Sequence, residues 1–169
     1  MKKLLYIPNS YKAIDSKIDS SFSPYQDPEF IESVIQLNGL GEKMEEIEPD
    51  IKLAKSTMAI WVDSRFSSSY AKNQYEEAKA EYDEAFEKYE SLSSKRQAIL
   101  NRLREEINKE PEFIGYMVFH TYRAKNNIGQ NLIGQDIFFV DKDLTEVLAH
   151  TSTEELESYK EALEELSEK

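Results

Sequence analysis

Apolar residues recur along two long stretches of this chain at alternating steps of three and four, the spacing that places side chains on one stripe of a helix. The first stretch reads Phe30, Val34, Leu37, Leu40, Met44, Ile47, Ile51, Ala54, Met58 and Trp61. It keeps a heptad register except for one slip near Asn38-Gly39-Leu40-Gly41, where two glycines weaken the helix. Asp27-Pro28-Glu29 supplies a start signal: an N-cap acid, a proline in the first helical position and an acid in the first turn. Pro49 lies inside the pattern and predicts a kink. The second stretch reads Tyr75, Ala78, Tyr82, Ala85, Tyr89, Leu92, Arg96, Ile99, Leu103 and Glu106, with Arg96 and Glu106 as polar intrusions and Pro111 as the stop. Two heptad segments joined by the serine-rich connector Val62 to Tyr70 predict an antiparallel helical hairpin, an arm over residues 28–110.

The texture changes after Pro111. Residues 113–124 are aromatic and β-branched on both parities: Ile114, Tyr116, Val118, His120 and Tyr122 on one, Met117, Phe119 and Thr121 on the other. Such a strand belongs in the middle of a sheet. Residues 125–131 are turn material, and 132–141 form a second strand around Ile137-Phe138-Phe139-Val140, so the two predict a β-hairpin. A short strand is expected over 145–149. Residues 11–22 alternate weakly and suit an edge strand. Thr151-Ser152-Thr153-Glu154 fits a capping box. The helix it opens carries Leu156, Tyr159, Leu163 and Leu166 on one face. Residues 2–7 fit the last turn of a helix stopped by Pro8. The fold class is α+β: a long antiparallel helical hairpin inserted in a small antiparallel sheet with a C-terminal helix. It is read as a single domain, with residues 9–24 and 111–169 forming the head.

Composition narrows function. The 169 residues are 40% hydrophobic and 32% charged, enough for a packed core beside solvated helices. The net charge of −12 is spread over the predicted helices and disfavours nucleic acid and anionic membranes, which need basic patches. No stretch is long and apolar enough for a membrane span. With no cysteine there is no disulfide and no thiolate site.

Candidate chemistry is thin. The residues give no catalytic set, no metal site and no cofactor loop, so the chain is read as a non-enzyme. The serines at 67–69 lack a nucleophile elbow and an adjacent base, and Gly39-Leu40-Gly41 neither follows a strand nor carries a third glycine. Asp141 and Asp143 flank a turn without a calcium-loop pattern. Arg123, Lys125, Asn126 and Asn127 read as turn residues before they read as an anion site. His120 is expected as a sheet histidine and His150 as a surface residue.

Two sets remain. Trp61, Phe66 and Tyr70 fall within the hairpin connector and form a candidate partner-binding patch, the alternative being aromatic closure of the end of the coiled coil. Tyr116, His120 and Phe138 form a candidate ligand-binding set, in a pocket between the sheet and the C-terminal helix. The leading function is therefore an interaction or structural protein that docks an unknown protein partner or self-associates through its arm. The rival is a small ligand-binding α+β domain.

Several strings resemble a group of small uncharacterised proteins of Bacteroidetes-type bacteria. They are Tyr6-Ile7-Pro8-Asn9-Ser10-Tyr11, Ser56-Thr57-Met58-Ala59-Ile60-Trp61, Phe113-Ile114-Gly115-Tyr116, Tyr122-Arg123-Ala124-Lys125-Asn126-Asn127 and Phe138-Phe139-Val140-Asp141-Lys142-Asp143. The resemblance implies an exported, envelope-associated protein, with an extracytoplasmic home preferred over a cytoplasmic one. It implies no catalytic residue. It also implies that residues 9–22 pair with the 113–141 hairpin.

Overall fold

Asp27 opens the first long helix as the sequence predicts: its Oδ1 accepts from the Glu29 amide at 2.8 Å. A computed structural model describes residues 8–167; the helical turn expected over 2–7 lies outside the described residues. The elements are a 3-10 turn (Pro8–Ser10), β1 (Lys12–Phe22), α1 (Pro28–Trp61), α2 (Ser69–Ile107), β2 (Phe113–Lys125), β3 (Asn131–Val140), β4 (Val147–Ser152) and α3 (Thr153–Ser167). The fold is α+β, with the two long helices inserted in sequence between the first and second strands of an antiparallel sheet. The chain divides into two compact units. One holds residues up to Ile35 and from Glu105 onward, and the other is Gln36–Arg104. The first turns of α1 and the last of α2 thus belong with the sheet, not with the arm.

In the Gln36–Arg104 unit α1 and α2 run antiparallel. Gly41 lies against Arg96. Asp50 adds to the field that keeps Lys88 protonated, behind the larger effect of its hydrogen bond to Glu84. Trp61 meets Tyr70 edge-on at 5.7 Å. Leu37, Leu40, Ala54, Ala71, Ala78 and Leu103 are buried, and the remaining seam positions of this unit are half-buried. Both polar intrusions fit: Arg96 and Glu106 are half-buried on the stripe. Helix α1 runs unbroken through Gly39, Gly41 and Pro49. Helix α2 starts six residues before its first predicted stripe residue, because Ser68 caps it by accepting from the Ala71 amide at 3.1 Å.

In the other unit the strand order is β1-β2-β3-β4, antiparallel throughout. Strand β2 is central, as its two apolar parities require, and β1 is an edge. Its core holds Phe30, Ile31 and Val34 of α1, Met117, Ile137 and Phe139 of the sheet, and Tyr159 and Ala162 of α3. Gly115 is obligatory: its φ is +145°, and a Cβ there would lie 2.1 Å from the Val140 carbonyl oxygen.

Two expectations shift. Strand β4 covers Val147–Ser152 rather than 145–149. The capping box then falls one residue later than expected: Ser152 Oγ accepts from the Glu155 amide at 3.1 Å, and Glu155 Oε2 accepts from the Ser152 amide at 3.0 Å. Thr151, expected as the cap, instead donates to Glu155 Oε2 at 2.9 Å.

Tyr159 ties α3 to the segment leading into α1. Its hydroxyl donates to the Tyr25 carbonyl at 2.7 Å, and the Tyr25 ring meets Phe30 edge-on at 5.6 Å. Burial raises the Tyr159 pKa above its ordinary value of 10.0. Its contribution to stability is therefore whole below about pH 10 and is lost as the pH rises towards the folded-state pKa, because the unfolded state ionises first. Tyr159→Phe should cost about 1 kcal/mol at neutral pH. The gap between wild type and variant should close as the pH passes 10.0, read by denaturant melts across the alkaline range.

Candidate functional site

The register sorts the sheet residues into two faces. Met117, Phe119, Ile137, Phe139 and Thr151 share one, and Tyr116, Val118, His120, Tyr122, Phe138 and His150 share the other. The three predicted ligand residues Tyr116, His120 and Phe138 are therefore together on one face, with the rings of His120 and Phe138 6.4 Å apart.

A cavity of about 350 Å³ does lie beside the start of α3, lined by Phe119, Thr121, Gln135, Ile137 and Thr153 among others. These include side chains of the opposite face, so Tyr116 and Phe138 do not line it; His120 alone borders it.

His120 is the hub of its own face. Its Nδ1 is 2.7 Å from Ser16 Oγ on β1, and its Nε2 is 2.5 Å from the Tyr11 hydroxyl. Both ring nitrogens are thus engaged. A neutral imidazole can satisfy the pair by donating from one nitrogen and accepting at the other. The His120 ring stacks on Tyr122 at 5.9 Å with 15° between planes. Tyr122 lies over Gly134, where a Cβ would approach its ring to 2.6 Å, so the glycine is what lets the ring lie flat. Burial, followed by the Asp136 carboxylate and its hydrogen bond, raises the Tyr122 pKa. Asp136 Oδ1 is in turn 3.5 Å from His150 Nε2, and the His150 ring sits 5.0 Å from Phe138. His150 is exposed, as expected, and stands on β4 within this cluster. Sequence reading missed Tyr11, Ser16, Tyr122, Asp136 and His150 as its members. The shared parity of His120 and Tyr122 was the available signal; the rest needed the strand register.

The candidate turn sites use their polar atoms on the backbone. Asn126 Oδ1 accepts from the amides of Ile128 and Gln130 at 3.1 and 2.9 Å. Asp141 accepts from the amides of Thr145 and Glu146 at 2.7 and 2.8 Å and from the Thr145 hydroxyl at 2.7 Å. Among the described residues no group of three or more His, Asp or Glu is placed to hold a metal ion.

The connector brings Trp61, Phe66 and Tyr70 to the closed end of the hairpin. Arg65 and Ser67 donate backbone bonds to Trp61 and Ser64 carbonyls at 3.0 and 2.9 Å, which explains the tight turns. Trp61 is half-buried, while Phe66 is 85% exposed and Tyr70 is 66% exposed, with Ile60 beside them at 69%. The Arg65 guanidinium lies 4.7 Å from the ring centres of both Phe66 and Tyr75. Phe66 and Tyr70 therefore do not close the coiled coil as buried plugs.

Hydrogen bonds to the Glu146 amide and the Thr145 hydroxyl hold the Asp141 carboxyl below its ordinary pKa of 3.8. The turn they fix is stable above that value and loosens as the pH falls through the lower folded-state pKa. Amide exchange at Thr145 and Glu146, referenced to the β2 core amides, should accelerate in acid. Asp141→Asn should bring that acceleration to neutral pH; unchanged exchange in the variant would refute the role.

No family model matches this chain, and neither a curated protein nor a solved structure matches it.

Proposed function

We propose that this is a non-enzymatic interaction protein that docks a partner protein through the closed end of its helical hairpin. The supporting observation is the exposure of Phe66 at 85% in the connector, together with Ile60 at the end of α1 and Tyr70 at the start of α2. Large apolar side chains clustered in solvent are the usual mark of an interaction surface, and Trp, Tyr and Arg are the residues that most often anchor one. Arg65 lies over the Phe66 ring and Trp61 meets Tyr70 edge-on, contacts that restrain two rings of the patch. Preorganised aromatic contacts lose little side-chain entropy on association. The resemblance to small exported proteins of Bacteroidetes-type bacteria belongs to the same proposal and puts the docking in the cell envelope.

A second reading is favoured by the 350 Å³ cavity: a ligand-binding head in which the sheet and the start of α3 enclose a small molecule. The polar lining at Thr121, Gln135 and Thr153 would orient it over Phe119 and Ile137.

The docking reading is tested by Phe66→Ser combined with Tyr70→Ser. Their exposure leaves the melting midpoint within a degree or so of wild type, since exposed side chains change stability by under about 0.5 kcal/mol. A partner bound at the tip should be lost by about 2 kcal/mol or more. Trp61→Ala should weaken both, because the ring is half-buried. Equal partner binding by the double variant and wild type would end this reading.

A further inference from the structure

Strand β1, Lys12–Phe22, is an edge of the sheet, with no strand beyond it among the described residues. An edge of that length offers a row of unpaired backbone donors and acceptors. Strand β4, the other edge, has only six residues and runs straight into α3. Short edges are a common protection against pairing, and β1 lacks it.

The side chains of β1 point to a particular occupant. Ile14, Ile18 and Phe22 recur every fourth residue and are 55%, 58% and 45% exposed. Lys17 and Asp19 lie two apart on the face they share with Phe119 and Met117, their register partners on β2. These two charges have opposite signs and are the same distance from Ile18. Between irregularities at Ala13/Asp15 and Ser21/Phe22 the strand keeps a regular register over Asp15–Ser21, and Ile18 is the centre of that segment, so an antiparallel copy related by a two-fold axis there would meet complementary charges. Ile18 would face Ile18, each Lys17 would face the other copy's Asp19, and Ser16 would face Ser20. Moving the axis to Lys17 sets lysine against lysine and Asp15 against Asp19. Moving it to Ser16 also opposes Lys17 to Asp15, but sets Ile18 to Ser21 against residues at and beyond the irregularity between Ala13 and Asp15. Directly opposed opposite charges stabilise a strand pair and like charges weaken it, and the regular segment centred on Ile18 favours that register.

We propose that β1 is a homodimerisation edge, pairing antiparallel with β1 of a second copy about Ile18 to form a continuous eight-stranded sheet. The interface is isologous, since the same strand serves both sides. It goes beyond docking at the hairpin tip and shares no residue with it. Main-chain bonds supply the binding and the alternating side chains supply the register, as in other strand additions.

The test is a charge swap read by sedimentation equilibrium on the full chain. Wild type should show twice the 19.7 kDa chain mass at high concentration. Lys17→Asp alone and Asp19→Lys alone should each raise the dimer Kd by about tenfold or more, because two opposed like-charge pairs replace two favourable ones. Both positions are exposed, so circular dichroism melts should stay near wild type. Lys17→Asp combined with Asp19→Lys restores Lys–Asp opposition in the Ile18 register alone and should recover the dimer. A monomeric wild type would overturn the proposal, and so would failure of the double swap to recover association. Association lost on Phe66→Ser but kept in Lys17→Asp would move the interface to the hairpin tip and overturn it too.

Discussion

A two-helix hairpin offers each helix one neighbour, and that single constraint explains most of the long helical region. With one seam to share, only residues at its centre can be fully enclosed. Small residues take several of those places: Ala54, Ala71 and Ala78 are buried. The flanks of the seam stay wet. Even on the seam Tyr75, Tyr82 and Tyr89 are only half-buried, which suits a side chain with an apolar ring and a polar tip. The polar faces carry ion pairs within one helix, such as Lys79–Asp83 and Lys88–Glu84, which suit exposed helix surface more than they anchor the fold.

The helices were legible because their signal is local. Every stripe position read from the spacing, from Phe30 to Trp61 and from Tyr75 to Glu106, is buried or half-buried. Their termini were less legible where capping competes. Thr151 and Ser152 can each cap, and Glu154 and Glu155 can each complete the box; the choice falls to Ser152 because β4 carries the chain to that residue. The sheet was legible as strands and turns. Its alternation separated Met117 from His120 but held no information on which face α3 would adjoin. That is a tertiary fact, and it is why Tyr116 and Phe138 were assigned to a pocket lined from the other side.

The histidine cluster has the same origin. Residues 104 and 109 positions apart in sequence bring Ser16 and Tyr11 to His120, and only the β1–β2 register does so. Its consequence is structural first: the polar atoms of a solvent-facing sheet surface are spent on one another, so the rings between them are held in place. His120, Tyr122, Phe138 and His150 form an ordered aromatic layer across three strands.

Charge then decides how such surfaces can be used. Each copy carries a net charge of −12, so two copies repel at long range. At physiological ionic strength that repulsion is screened beyond roughly 8 Å, whereas backbone hydrogen bonds across a strand edge act at contact. Strand β1 is locally balanced, with Lys12 and Lys17 against Asp15 and Asp19. Added salt therefore has two opposing effects on edge pairing: it relieves the global repulsion and weakens the local Lys17–Asp19 contacts. The exposed local pairs are few and individually weak, while the global charge is large. Self-association through β1 should consequently strengthen from low to moderate salt, and sedimentation across a salt series would detect the opposite trend if the local pairs dominated.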